Sequence, residues 1–147
     1  MSLKDRITED MKNAMRAKDA PRLLTIRGLL AACKQREVDE RIVLDDARVL
    51  AVLDKMTKQR RDSVAQYRSA GREELAAQEL AEIEIIASFL PTALTATEIT
   101  ALIEQAIASS GANSARDMGK VMALLKPELQ GRADIGAISA QVKTRLG

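Results

Sequence analysis

The sequence predicts an all-helical fold, four helices followed by a small three-helix part, and three observations carry that prediction. Hydrophobic residues make up 46% of the chain, yet there is no Trp, one Phe (Phe89) and one Tyr (Tyr67). The core must therefore come from Leu, Ile, Val, Met and Ala, which favours helices because strands draw on aromatic and β-branched residues. Apolar residues recur at intervals of three and four through seven segments, and capping residues, glycines and prolines fall between those segments.

The first helix starts near Ser2, where Ser2-Leu3-Lys4-Asp5 forms a variant capping box, and Leu3, Ile7, Met11, Ala14 and Met15 share its inner face. It ends near Lys18. Pro21 suits the first turn of a second helix, because a proline there sacrifices no intrahelical bond; Leu23, Ile26, Leu30 and Cys33 form its buried stripe. Charged Arg36 to Arg41 mark its exit. Asp45 or Asp46 caps a long third helix with Val49, Leu53, Met56, Val64 and Tyr67 on the apolar side, running to Ala70 and stopping at Gly71. A fourth helix carries Leu75, Ile83, Ile86, Phe89 and Leu90 and is ended by Pro91, since the residue before a proline leaves helical geometry. The boundary falls here, giving a domain of residues 1–92 and another of residues 93–147.

In the second part, Thr95-Ala96-Thr97-Glu98 reads as a capping box, with Leu94 stapled onto Ile99. Ser109-Ser110-Gly111 closes that helix. Asn113 or Ser114 opens the next, whose inner side is Met118, Val121, Met122 and Leu125, and which runs until Pro127 and Gly131; Asp134 caps a last helix with Ile135, Ile138, Val142 and Leu146.

Charge is uneven although the formal net is +2. Residues 1–72 hold 17 basic and 11 acidic groups, whereas residues 73–92 hold five acids and no base. A positive face fits an anionic partner such as RNA, and an ordinary solvated helix surface fits the same numbers. Cys33 is the only cysteine and there is no His, so an internal disulfide is impossible and a zinc or haem site is not expected. No cofactor is implied. No apolar run reaches the roughly 20 residues of a membrane span, and Met1 to Asp5 carry no signal-peptide apolar block. These features lead to the expectation of a cytoplasmic protein.

On the third helix, Lys58, Arg61, Arg68 and Arg72 fall within about 80° of arc, forming one exposed stripe whose cationic groups are spaced to meet successive phosphates. Arg60 lies instead on the apolar side, where a lone charge would be costly, so Glu79 or Glu82 of the fourth helix is expected to pair with it as a structural ion pair. Gly119, inside Met118-Gly119-Lys120-Val121-Met122, implies close approach of another helix or of a ligand. Gly119-Lys120 is not a phosphate-binding loop, because the glycine five residues earlier is missing and Val121 stands where a hydroxyl is needed. Without His the usual general base near neutral pH is gone, and no nucleophile motif or paired carboxylates stand out. No catalytic residue is assigned.

Met15, Lys18-Asp19, Arg22-Leu23, Ile26-Arg27, Lys58 to Ser63, Tyr67, Ala70-Gly71-Arg72, Leu75, Glu79, Glu82, Phe89-Leu90-Pro91, Met118 to Met122 and Gly131 to Asp134 together resemble a YqeY-like protein of the GatB/YqeY group. The resemblance covers nearly the whole chain. It implies a helical amino-terminal domain and a carboxy-terminal domain similar to the tail of GatB, a subunit of the tRNA-dependent amidotransferase, where the tail is associated with gripping tRNA. The group's carbon-nitrogen ligase activity, with glutamine as amido-N-donor, is carried by parts this chain does not match, so it transfers only as an association. Lys120 and Arg132 match the tail motif; Lys126, Lys143 and Arg145 join them on charge and proximity. The expectation is a non-catalytic tRNA-binding or accessory module, with tRNA and an amidotransferase or other tRNA enzyme as partners. The alternative is a protein-interaction module that binds no nucleic acid.

Overall fold

The computed structural model describes every residue, Met1–Gly147. Its regular elements are α1 (Leu3–Arg16), α2 (Ala20–Glu40), α3 (Asp46–Ser69), α4 (Glu73–Ala87), α5 (Ala96–Ser110), a 3-10 turn (Ala115–Asp117), α6 (Met118–Leu129) and α7 (Ile135–Leu146), and no strand forms. The chain divides into two compact units, Met1–Leu90 and Pro91–Gly147.

In the first unit the starts of α1, α2 and α3 are set by short polar side chains, whereas α4 begins at Arg72 without a side-chain cap. The Ser2 hydroxyl accepts from the Asp5 N–H at 3.1 Å and the Asp5 carboxylate accepts from the Ser2 N–H at 3.4 Å, a reciprocal box that satisfies two otherwise orphaned donors. Asp19 caps α2 through the Arg22 N–H, with Pro21 in the first turn, and Asp45 caps α3 through the Arg48 N–H at 2.9 Å. The start of α1 is also tied to the start of α3, because the Leu3 N–H donates to Asp46 at 2.9 Å. The longest run of packing is between α3 and α4, with α2 touching α1, α3 and α4. Ile7, Ile26, Leu29, Leu53 and Ile86 have no exposed surface, and Cys33 is buried among the same core residues, where burial pushes its thiol pKa up.

Glu37 fastens three segments. Its carboxylate accepts from the Lys4 ammonium of α1 at 2.7 Å and from the Leu44 N–H at 3.0 Å, and those bonds, the Lys4 one foremost, hold its pKa below the ordinary glutamate value. A depressed pKa means the contribution to stability is complete above the unfolded-state value of about 4.3 and is lost as pH falls through the lower folded-state value. Wild type is therefore expected to lose stability more steeply than Glu37→Gln below roughly pH 4, as read from urea midpoints across an acid series. Parallel curves would contradict the assignment.

Three features differ from the sequence reading, at Met15, at Arg41 and at the end of α4. Met15 is about half exposed, at 49%, because α1 ends at Arg16 and the chain reverses through Lys18, which takes a positive φ of 56°. The second helix ends at another basic residue in left-handed geometry, Arg41, with φ 57°. Pro91 does not end α4: the helix stops at Ala87, where the Ser88 hydroxyl takes the Ile85 carbonyl and the Phe89 and Leu90 N–H groups bond three residues back. That tightening turns Phe89 into the core, where its ring sits 5.8 Å from the Arg22 guanidinium carbon. Gly71, with φ 73°, makes the reversal between α3 and α4.

The second unit is built on α6, which packs against both α5 and α7. Thr95 and Glu98 form a full capping box, and Gly111, at φ 69°, closes α5. Ile103, Val121, Leu129 and Val142 are fully buried, with Leu125 and Ile138 at 1% exposure. Pro127 lies inside α6 rather than after it. Its position in the last turn limits the loss to one backbone bond. A 3-10 turn, opened by Ser114, precedes α6 where the sequence suggested a simple helix start.

Candidate nucleic-acid interface

On α3 the stripe exists as a surface but not as a uniform row of available cations. Lys58, Arg61 and Arg68 are exposed, as is Arg72 just beyond the helix. Lys58 and Arg61 make no ion pair, whereas Arg68 lies 3.8 Å from Glu73 and Arg72 donates to Glu74 at 2.8 Å, which holds the Glu74 pKa down. Asp62 shares the exposed side, so the local field is mixed. Pairs this exposed are worth little, and a phosphate can compete for either arginine.

On the opposite side of α3, Arg60 Nε donates to Glu82 of α4 at 3.1 Å and its guanidinium also reaches the Met56 carbonyl at 3.3 Å. Both side chains are largely covered, at 20% and 24% exposure. Glu79 is half-buried and makes no ion pair.

The second unit supplies the remaining cations. Lys126 and Lys143 are exposed and unpaired, and Lys120 is exposed with Asp117 at 3.7 Å. Arg145 donates to Glu104 at 3.1 Å, joining α7 to α5. Arg132 is chiefly a clasp: its Nε donates to the Thr92 carbonyl at 3.0 Å, and its own carbonyl accepts from the Leu94 N–H at 2.9 Å, fastening the segment that leads into α5. The sequence reading missed Arg116, exposed and unpaired in the 3-10 turn; its place just ahead of Gly119-Lys120 was the available signal. The unit's acids are mostly engaged: Glu98 and Asp134 cap helices, Asp117 accepts from the Asn113 N–H, and Glu104 pairs with Arg145, leaving Glu128. Hydrogen bonds from Thr95 keep the Glu98 pKa low.

Gly119 does not serve a close helix crossing. A Cβ there would meet nothing within 4 Å, and the residue is exposed, so the packing explanation drawn from the sequence is corrected.

No group of three or more His, Cys, Asp or Glu residues stands close enough to hold a metal ion, and no buried side-chain polar atom lacks a partner. Two concavities are open to solvent, one between α1 and Arg22, Ser88 and Phe89, the other beside the end of α2. No helix is long and apolar enough to cross a membrane.

These features define a class: a small, wholly helical protein of two units whose polar surface is organised by caps and ion pairs. The chain belongs to the Yqey-like protein family, whose model matches residues 4–146. Among curated relatives, "Altered inheritance of mitochondria protein 41, mitochondrial" of Pyrenophora tritici-repentis is 28% identical over 97% of this chain and 80% of that protein. The proteins of the same name from Lachancea thermotolerans and Kluyveromyces lactis are each 38% identical, over 63% and 56% of this chain and 50% and 45% of theirs. The matches thus span most of one relative and about half of the others.

Those names overturn the cytoplasmic expectation, since the relatives are named as mitochondrial. The physical reason is that the expectation rested on the lack of an apolar block and on ordinary soluble composition. A folded helical domain has that composition in any aqueous compartment.

Proposed function

We propose that the chain is a non-catalytic RNA-binding accessory module, with tRNA the RNA that the GatB-tail resemblance implies and amidotransferase chemistry its setting. One observation supports this most: Lys58 and Arg61 on α3, and Lys126 and Lys143 in the second unit, are exposed with no ion pair. Exposed ammonium and guanidinium groups with unused donors bind phosphate oxygens, and such contacts position a folded polyanion without reading its bases. With one Tyr and one Phe, and Phe89 buried, a base-stacking platform is absent from the design. Phosphate contacts would then come from α3 of the four-helix half and from the three-helix half, the second corresponding to the tail-like part.

Fluorescence anisotropy with labelled tRNA tests the reading. Lys120→Glu with Lys126→Glu and Lys143→Glu, all at exposed positions, is expected to weaken binding by at least about tenfold at low salt, since each lost phosphate contact removes counterion release. No binding by wild type at low salt, or unchanged binding by the triple variant, would remove the proposal.

A further inference from the structure

The outer face of α2 carries two parallel rows at seven-residue intervals. Leu24, Ala31 and Val38 form one, and Arg27, Lys34 and Arg41 the other. Seven residues drift only about 20° on a straight helix and advance about 10.5 Å, so the apolar row is nearly straight with Arg27 and Lys34 running beside it, while Arg41 follows just past the helix end in left-handed geometry. The apolar row is open to solvent: Leu24 is 70% exposed, Val38 is 60% exposed and Ala31 is exposed, while Val43, just past the helix, is 80% exposed. The inner face of the same helix, with Ile26, Leu29 and Cys33, is fully buried, so α2 is apolar on both sides. A surface helix normally keeps one apolar face, and the second one here has no partner within the chain.

The cationic row is also open to solvent, with Lys34 acting on Glu37 only through space. Arg27, Lys34 and Arg41 are exposed and make no ion pair or side-chain hydrogen bond. The neighbouring acids are engaged: Glu37 by Lys4 and the Leu44 N–H, Asp39 by Gln35 at 2.8 Å and Glu40 by Arg36 at 2.5 Å. Lys34, Val38, Arg41 and Val43 line one open groove, so the two rows meet there. Gly28 lies beside the apolar row, on the side away from the cations, and a Cβ on it would meet nothing within 4 Å.

We propose that this face of α2 docks an acidic amphipathic helix of a partner protein. Anchors at heptad spacing match the apolar seam of a second helix, and a row of cations beside the seam selects carboxylates flanking it. Small residues at Gly28 and Ala31 let a helix backbone approach. They give a lipid surface little to bury, because interfacial helices rely on bulky apolar residues. A phosphate backbone gains nothing from exposed Leu24 and Val38. The ridge uses none of the cations assigned above to RNA, so the two readings stand or fall separately.

The test is an amide-shift titration of the full chain by NMR with two synthetic 21-residue helices. Both carry Leu at the first and fourth positions of each heptad; one has Glu and the other Lys at the positions flanking that seam. The Glu peptide is expected to shift resonances within residues 24–43 and to bind at least about tenfold more tightly than the Lys peptide, a preference of roughly 1.4 kcal/mol. Leu24→Ser with Val38→Ser, both at solvent positions, is expected to abolish binding, and Arg27→Glu with Lys34→Glu to reverse the preference. No shift with the Glu peptide, equal affinity for both peptides, or shifts outside 24–43 would overturn the proposal. So would self-association lost on Leu24→Ser, which assigns the face to a second copy, or Leu24-dependent binding to phosphatidylglycerol vesicles without peptide binding.

Discussion

Leu125→Ala is expected to lower the stability of the 91–147 unit by about 2–5 kcal/mol, the range for removing a buried leucine side chain and leaving part of its volume empty. Leu125 is 1% exposed on the central helix of that unit, in a cluster with Ile103, Val121, Met122, Leu129, Ile138 and Val142. So small a core has little stability to lose, since units of this size rarely hold more than a few kcal/mol. Amide exchange protection across α5, α6 and α7 is therefore expected to collapse toward the unprotected limit. Retained protection in α6 would show that the core described here is not what holds the unit together.

Glu82→Ala is expected to cost about 1–3 kcal/mol, because it strands the partly covered Arg60 guanidinium rather than merely deleting a surface contact. The geometry behind this is the 3.1 Å bond between α3 and α4, the most extensively packed pair of the first unit. Replacing both partners by apolar residues, Arg60→Met with Glu82→Leu, is expected to recover most of the loss, since desolvation of two charges disappears along with their attraction. Urea midpoints of the single and double variants measure it. A single variant as stable as wild type, or a double variant worse than the single, would contradict a structural role for the pair.

Local signals were the most legible part of the fold. The boxes at Ser2–Asp5 and Thr95–Glu98, the cap at Asp134 and the choice of Asp45 or Asp46 all depend on side chains within a few residues, so sequence alone carries them, although the Asp19 cap of α2 was not read. Gly71 and Gly111 were readable as reversals for the same reason. Lys18 and Arg41 were not, because left-handed geometry at a basic residue leaves no compositional trace and is imposed by the helices on either side. Core membership was partly legible: Ile7, Ile26 and Leu53 follow from periodicity, but Leu29, Leu44, Ala76 and Leu129 are buried through contacts that the stripe arithmetic did not select. The exposed stripe on α3 was visible as positions, yet the acids that take Arg68 and Arg72 come from the next helix and its approach, which helical-wheel reasoning cannot see. Arg132 was read as a phosphate contact from its motif, and its bond to the Thr92 carbonyl, 40 residues away in sequence, emerges only from the folded unit.

The most direct measurement is the salt dependence of tRNA affinity for the whole chain. Plotting log affinity against log salt is expected to give a straight descending line, whose slope becomes shallower by about one for each of Lys126→Ala and Lys143→Ala, as befits phosphate contacts that release counterions. A flat line, or a slope that both substitutions leave untouched, would mean that these side chains grip no polyanion.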